Sequence, residues 1–227
     1  MTSSANPSTP APLLWPVDRL RCVKAAALCW AGFAAVVAVM MTGLGDAFDA
    51  WGLRLWREAD LSHTGPAWVL EAVRDVTALG GVTLRVSITL VAVGMLAWLR
   101  LRREAIVLAL TVAGGWAFNT ALKWLFSRER PSLVPHLTEA GGHSFPSGHS
   151  FNSAAGFIAT ALAFAALSPH RGVRLTLIAG ALMLSALIAF SRVMLGVHYP
   201  TDILAGWLGG TGWAFMASAL LHRPQTG

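Results

Sequence analysis

The sequence predicts an all-α polytopic membrane bundle of about six transmembrane helices, with an interfacial helical segment after the first span. Three observations carry this. Apolar segments of about twenty residues recur along the chain, the length a helix needs to cross a hydrocarbon core about 30 Å thick. Hydrophobic residues make up 55% of the chain and charged residues 12%, against about 25% charged in a typical soluble domain. Basic residues, finally, collect in short clusters between the apolar segments, the pattern of membrane topology signals. A soluble protein with deeply buried helices fits these numbers poorly.

Taken in order, residues 1–23 form a basic N-terminal tail whose first sixteen residues, rich in Ser, Thr and Pro, read as disordered. The long polar lead and the lack of an A-x-A-like site favour a retained anchor over a cleaved signal peptide. One membrane domain then covers 24–222, with spans at about 24–42, 81–100, 104–126, 147–168, 173–195 and 201–221, and a short tail follows at 223–227. In the long connection after the first span, Phe48, Trp51 and Leu55 fall at helical spacing opposite Asp49, Arg54, Arg57 and Glu58. Residues 66–80 repeat the pattern, with Trp68, Ala72, Val73 and Val76 on one side and Glu71, Arg74 and Asp75 elsewhere. Such helices lie in the interface or cap the soluble side.

The net charge of +6 would point to nucleic acid in a soluble protein. Here it marks topology, with anionic membrane lipids as the natural partner; no nucleic acid and no obligate protein partner is expected. Cys22 and Cys29 have no ligand spacing and read as ordinary reduced residues. Arg19, Arg21 and Lys24 precede the first span, Arg100, Arg102 and Arg103 separate the second from the third, His170, Arg171 and Arg174 separate the fourth from the fifth, and Arg223 follows the last. With six spans all of these face the cytoplasm. The loops at 43–80, 127–146 and 196–200 then face the opposite side.

Three islands of chemistry lie on that opposite side. The first ends the third span, Lys123 through Arg128 and Glu129 to Arg130-Pro131. Lys123 and Arg130 share a face if the helix persists, although Pro131 disfavours helix at Arg130. The second, His143-Ser144-Phe145-Pro146-Ser147-Gly148-His149, opens the fourth span. Pro146 suits a first helical turn, Gly148 lets backbone approach a ligand, and free amides at a helix start make an anion site. His149 stands in the same turn, placed to exchange a proton. The third, Ser191-Arg192 through Gly196 and His198 to Asp202, joins the last two spans, with Pro200 starting the final helix and Gly196 permitting a break. Asp202 can accept a hydrogen bond from one nitrogen of His198 and leave the other as a nucleophile.

Each island alone has a plainer reading: a snorkelling cluster, a common Ser-Gly turn, a membrane-edge Arg beside a satisfied His–Asp pair. Together they put three cations, backbone donors, two histidines and one carboxylate at span ends on one side, which is expensive unless used. The segments K-x6-R-P (Lys123 to Pro131), P-S-G-H (Pro146 to His149) and S-R-x5-H-x3-D (Ser191 to Asp202) resemble the three-part signature of the type 2 phosphatidic acid phosphatase family, in its bacterial membrane branch. Its superfamily also holds vanadium haloperoxidases and some acid phosphatases. Every signature position is matched in order, and the similarity is expected over roughly 45–220.

That resemblance implies a phosphatase acting on a lipid phosphate or diphosphate through a covalent phosphohistidine. It implies that Lys123, Arg130 and Arg192 bind the phosphoryl oxygens, with Ser147 and the Gly148 amide completing the cradle. His198 would attack phosphorus, held by Asp202, while His149 would protonate the leaving group and then activate water, giving a bell-shaped pH profile. No metal or cofactor is expected, since the motifs hold one carboxylate, so EDTA should leave activity intact and vanadate should inhibit. His136 and His143 are given no role. Candidate substrates are phosphatidic acid, phosphatidylglycerol phosphate, undecaprenyl diphosphate and phosphorylated lipid A. An outward-facing site favours the polyprenyl diphosphate or phosphatidylglycerol phosphate, in a bacterial cytoplasmic membrane with the site on the periplasmic face. The rivals are a vanadate-dependent haloperoxidase, disfavoured by hydropathy, and a non-catalytic lipid-phosphate binder or transporter, disfavoured by intact His198, Asp202 and His149.

Overall fold

The computed structural model describes residues 18–221, so the N-terminal tail through residue 17 and the C-terminal tail with Arg223 lie outside the described residues. The chain forms helices α1 (Arg19–Met41), α2 (Asp46–Arg54), α3 (Ala67–Leu79), α4 (Val82–Trp98), α5 (Arg102–Phe126), α6 (Gly148–Ala165), α7 (Arg171–Met194) and α8 (Pro200–Leu221). Among the described residues there is no strand, and the fold is an all-helical membrane bundle. A helix stands at each of the six expected spans. The first begins earlier than expected because Asp18 caps it, accepting from the Arg21 amide at 2.8 Å and pairing with the Arg21 guanidinium at 2.8 Å. Arg19, Arg21 and Lys24 therefore lie on the helix rather than ahead of it.

Among the described residues four helices are long and apolar enough to cross a membrane: α1, α5, α7 and α8. A fifth crossing arises if α3 and α4, bent by 47° at Gly80–Gly81, are taken as one broken span. The expected fourth span, α6, falls outside this set. Its first turns carry His149, Ser150, Asn152 and Ser153, which lower its apolarity, and two thirds of its residues are buried with none exposed. This helix is the centre of the bundle, packed by α5, α7 and α8, while α1 lies along α8. Large apolar side chains such as Trp98, Leu110 and Met183 are exposed on the outer helices, a surface suited to lipid.

Lipid tails supply no hydrophobic drive between helices, so close packing must. Gly206 and Gly210 of α8, one turn apart, bring its backbone against α6. A Cβ at Gly206 would stand 2.7 Å from the Ser147 carbonyl oxygen and 2.9 Å from Ser150 Cβ, and one at Gly210 would collide with the Phe151 carbonyl. Ile158 and Leu162 of α6 are buried against Ala181 and Ala214 in the same layer. At one end of the bundle Cys22 lies 3.8 Å from the Ser218 hydroxyl, and Arg103 donates to the Leu220 carbonyl at 2.7 Å. The opposite end collects α2, the 127–147 segment and the α7–α8 turn.

The helix after α1 does not sort its residues as a soluble amphipathic helix does. Phe48 and Trp51 are 44% and 58% exposed, while Asp49 is 2% exposed. Only one of its charged side chains turns inward: Asp49 is buried with Gly52 and Leu53, whereas Asp46 and Arg54 stay exposed beside Phe48 and Trp51 on the outer side, which suits lipid. Arg57, just beyond α2, is also buried; it donates to the carbonyls of Trp56, Met194 and Pro135 and so ties this segment to the end of α7.

Candidate active site

Lys123 projects from the last turn of α5, where its ammonium donates to the His143 carbonyl at 2.5 Å and the Ser144 carbonyl at 3.5 Å. The helix does not persist to Arg130. Ser127 takes a left-handed conformation (φ 45°) and ends α5 after Phe126, so Lys123 and Arg130 do not share a helical face; loop residues bring them to one site instead. Beyond the cap, Arg128 and Arg130 point to different partners. Arg130 donates to the carbonyls of Gly141 (2.7 Å), Gly142 (2.9 Å) and Val197 (2.8 Å), and its Nη1 lies 3.2 Å from His198 Nε2. Burial lowers the Arg130 pKa from the ordinary arginine value.

Arg128 is held by carboxylates. Its Nη1 donates to Asp202 Oδ1 at 2.7 Å and to the Thr201 hydroxyl at 2.8 Å, its Nη2 donates to Asp49 Oδ2 at 2.8 Å, and the guanidinium covers the Tyr199 ring at 4.1 Å. Burial opposes its charge, yet Asp202 and Asp49 together outweigh burial and raise its pKa. Asp49 in turn accepts from the Thr201 amide at 2.9 Å and hydroxyl at 2.7 Å.

At the start of α6, Ser147 is the N-cap, its amide donating to the Asp202 carbonyl at 3.1 Å. Pro146 precedes the cap rather than occupying the first turn, since the Ser147 backbone is extended and helix begins only at Gly148. The Ser147 hydroxyl is buried and makes no hydrogen bond, leaving it as a donor aimed inside the protein. Gly148 faces the Lys123 stem and Asn119: a Cβ there would make ordinary contacts of 3.5 Å with Lys123 Cε and Asn119 Oδ1. The first amides of α6 lack intrahelical acceptors by construction. His149 lies one residue further, within the field of Arg192, His198, Arg85 and Arg130.

Arg192, 4% exposed, donates to the Thr77 hydroxyl at 2.9 Å, and its Nε has no partner. Past α7 the chain reverses at Gly196, whose φ is +76° and whose Cβ would stand 2.8 Å from Arg57 Nη2; only glycine suits both conditions. The turn delivers His198 with Nδ1 3.3 Å from Asp202 Oδ2 and 3.3 Å from the Ser144 hydroxyl. Asp202 is fully buried. It also accepts from the Ser144 hydroxyl and from the Tyr199 amide at 2.9 Å. With Nδ1–H donating to the carboxylate, the Nε2 lone pair faces Arg130. Burial, helped by Arg130 and Lys123, outweighs Asp202 and lowers the His198 pKa from 6.5 to about 3, which keeps that lone pair available.

The cations sort by partner. Lys123, Arg130 and Arg192 make no ion pair among the described residues and rest on carbonyls or a hydroxyl, whereas Arg128 is saturated by two carboxylates. A pocket whose buried cations lack counter-anions is built to receive one. His136 donates to the Pro131 carbonyl at 2.7 Å, and His143 meets the Trp124 ring edge-on at 5.1 Å; neither points at His198 in these contacts.

Asp49, Arg128, Ser144 and Thr201 are the site-supporting residues that sequence reasoning missed. Arg128 stood inside the first motif with no role given, and Asp49 was placed on a polar surface. One signal was available for Asp49, a carboxylate in the first turn of a helix whose neighbours Phe48 and Trp51 suit lipid.

The fold is that of a membrane-embedded helical bundle, and comparison with known proteins gives its family. The PAP2 superfamily model matches residues 104–225. A phosphatidylglycerophosphatase B from Bacillus subtilis is 32% identical over 62% of this chain and 69% of that protein. A lipid A 1-phosphatase from Rhizobium etli is 34% identical over 53% of this chain and 55% of its own length. The crystal structure of a transmembrane PAP2-type phosphatidylglycerolphosphate phosphatase from Bacillus subtilis superposes with a TM-score of 0.77, at 23% identity, over 86% of this chain and 94% of that one; this likeness concerns the fold. The chain belongs to the PAP2 superfamily and is a membrane lipid phosphate phosphatase of that family. The family model takes in α5 to α8, and the likeness in fold extends beyond it over 86% of the chain.

Proposed function

We propose that this chain, as one domain over residues 24–222, hydrolyses a lipid phosphate or diphosphate through a phosphohistidine formed on His198. The observation that carries the reading is the polarity of that imidazole: Nδ1 lies 3.3 Å from Asp202 and Nε2 lies 3.2 Å from Arg130. Lys123, Arg130 and Arg192 hold the phosphoryl oxygens, aided by the Ser147 hydroxyl and the Gly148 amide. His198 Nε2 attacks phosphorus in line. The P–O bond to the leaving group breaks, and its oxygen takes a proton from His149. Water, deprotonated by His149, then cleaves the P–N bond and releases phosphate.

Asp202 and Asp49 spend their lone pairs on Arg128, Thr201, Ser144 and the Tyr199 amide. They are poor candidates for a metal site, and the reaction is metal-independent, running in EDTA and inhibited by vanadate. The site lies at the end of the bundle opposite the basic loops. This supports a periplasmic face in a bacterial cytoplasmic membrane, where headgroups of phosphatidylglycerol phosphate or a polyprenyl diphosphate reach it with tails still in lipid.

Released phosphate is measured in detergent micelles over a panel of lipid phosphates, for wild type and His198→Ala. Wild type is active and His198→Ala loses at least a thousandfold; equal release by the two proteins sinks the proposal.

A further inference from the structure

Arg85 has no part in the chemistry above. It stands in the first turn of α4, is 5% exposed and joins no ion pair among the described residues. Its Nη1 donates to the Gly80 carbonyl at 3.2 Å, and its Nε is buried without a partner. A buried cation in a membrane helix is costly when it has no counter-anion.

Its surroundings indicate where the anion belongs. Gly80 packs on His149: a Cβ there would stand 3.2 Å from His149 Cδ2 and 2.9 Å from the Ser153 hydroxyl oxygen. Ser153 lies four residues after His149, on the same face of α6, and its buried hydroxyl makes no hydrogen bond. Gly156, three residues further, continues that face, and a Cβ on it would stand 4.0 Å from the Arg85 stem. Arg85, Ser153 and His149 thus gather around Gly80 and the facing side of α6. The pocket has two flanks. Lys123 and Arg130 bear on His198, Arg192 and Arg85 bear on His149, and Arg130 is common to both.

We infer that Arg85 and Ser153 form a subsite for a second phosphate on the leaving-group side of His149, so that Arg85 sets a preference for lipid diphosphates over monophosphates. The inference rests on the proposed in-line attack by His198. In that step Nε2 bonds to the terminal phosphorus while the bridging P–O bond breaks. The electron pair stays on the bridging oxygen, now part of the departing lipid monophosphate, and that oxygen takes the His149 proton. Arg85 balances the charge of the departing phosphate. Because Arg85 lies outside the family match of 104–225, substrate preference can change here without disturbing the three motifs.

Farnesyl diphosphate and farnesyl monophosphate share a tail and differ by this phosphate. With purified full-length protein in micelles, wild type is expected to favour the diphosphate in kcat/KM at least tenfold. Arg85→Gln lowers that ratio at least tenfold and Arg85→Lys lowers it less. If Arg85 merely fastens the α3–α4 bend through Gly80, both substrates lose activity in proportion, and the inference is overturned. A wild-type test covers the case in which Arg85→Gln fails to fold: methylenebisphosphonate inhibits monophosphate hydrolysis at least tenfold more strongly than methylphosphonate does. Equal inhibition overturns the subsite. Activity surviving in His198→Ala on both substrates would instead refute the phosphohistidine reading.

Discussion

Replacing Asp49 with Asn keeps the shape of the side chain and removes one of the two carboxylates that hold Arg128. Asp49 makes three hydrogen bonds: from the Thr201 amide at 2.9 Å, the Thr201 hydroxyl at 2.7 Å and Arg128 Nη2 at 2.8 Å. Asparagine keeps one carbonyl oxygen for Thr201 and turns an NH2 group toward donors. Stripping a buried ion of its partner costs about 3–5 kcal/mol. Arg128 retains Asp202, however, and its side chain is 17% exposed, so the loss is closer to one charge-assisted hydrogen bond, about 2 kcal/mol. For a domain of this size that lowers Tm by about 4–8 °C.

The same change gives Arg128 wholly to Asp202 and weakens that carboxylate's support of His198 as the P–N bond forms. We expect kcat to fall about tenfold, roughly 1.4 kcal/mol of barrier, with KM within threefold because Asp49 makes no contact with Lys123, Arg130 or Arg192. Thermal melts and phosphate release in one detergent read both quantities. A Tm within 1 °C of wild type, or a raised KM with unchanged kcat, would refute the reasoning.

Ser144→Ala removes a buried hydroxyl that donates to Asp202; stability should drop by about 1.5–2 kcal/mol and kcat should fall while KM holds, as the same two assays report. Gly210→Ala pushes a methyl into the Phe151 backbone and should cost about 2–3 kcal/mol. Gly180→Ala on α7, with nothing within 4 Å, should gain up to about 1 kcal/mol from helix propensity, so opposite shifts in Tm are the expected pair. His198, held neutral down to about pH 3 when folded but titrating near 6.5 when unfolded, leaves the unfolded chain binding more protons in that window. Its contribution is fully present above pH 6.5 and is lost as pH falls toward 3. Between pH 6 and pH 5 wild type should lose about 1 kcal/mol more than His198→Gln, and parallel melting curves would contradict this.

The fold class and the family were legible in the sequence because both rest on local information. Apolar length identifies a helix that suits lipid, and three short motifs carry phosphate chemistry with their own spacing. The pairing of His198 with Asp202 was legible for the same reason: four residues and Pro200 place them across one turn. Glycine at 196 marked the break that the positive φ there requires.

Tertiary structure decided what no local pattern holds. The central place of α6 comes from its polar first turns being wrapped by α5, α7 and α8, so its low apolarity reads as a poor span when its neighbours are unknown. Arg130 reaches His198 by a left-handed cap at Ser127 and not along a helical face. Asp49, more than seventy residues ahead of Arg128, reaches the site because α2 packs the face holding Asp49, Gly52 and Leu53 against the start of α8 and leaves Phe48 and Trp51 outside. Hydropathy tells which residues avoid water. It does not say whether the polar face of a helix meets solvent or a buried ion, because that depends on what packs against it.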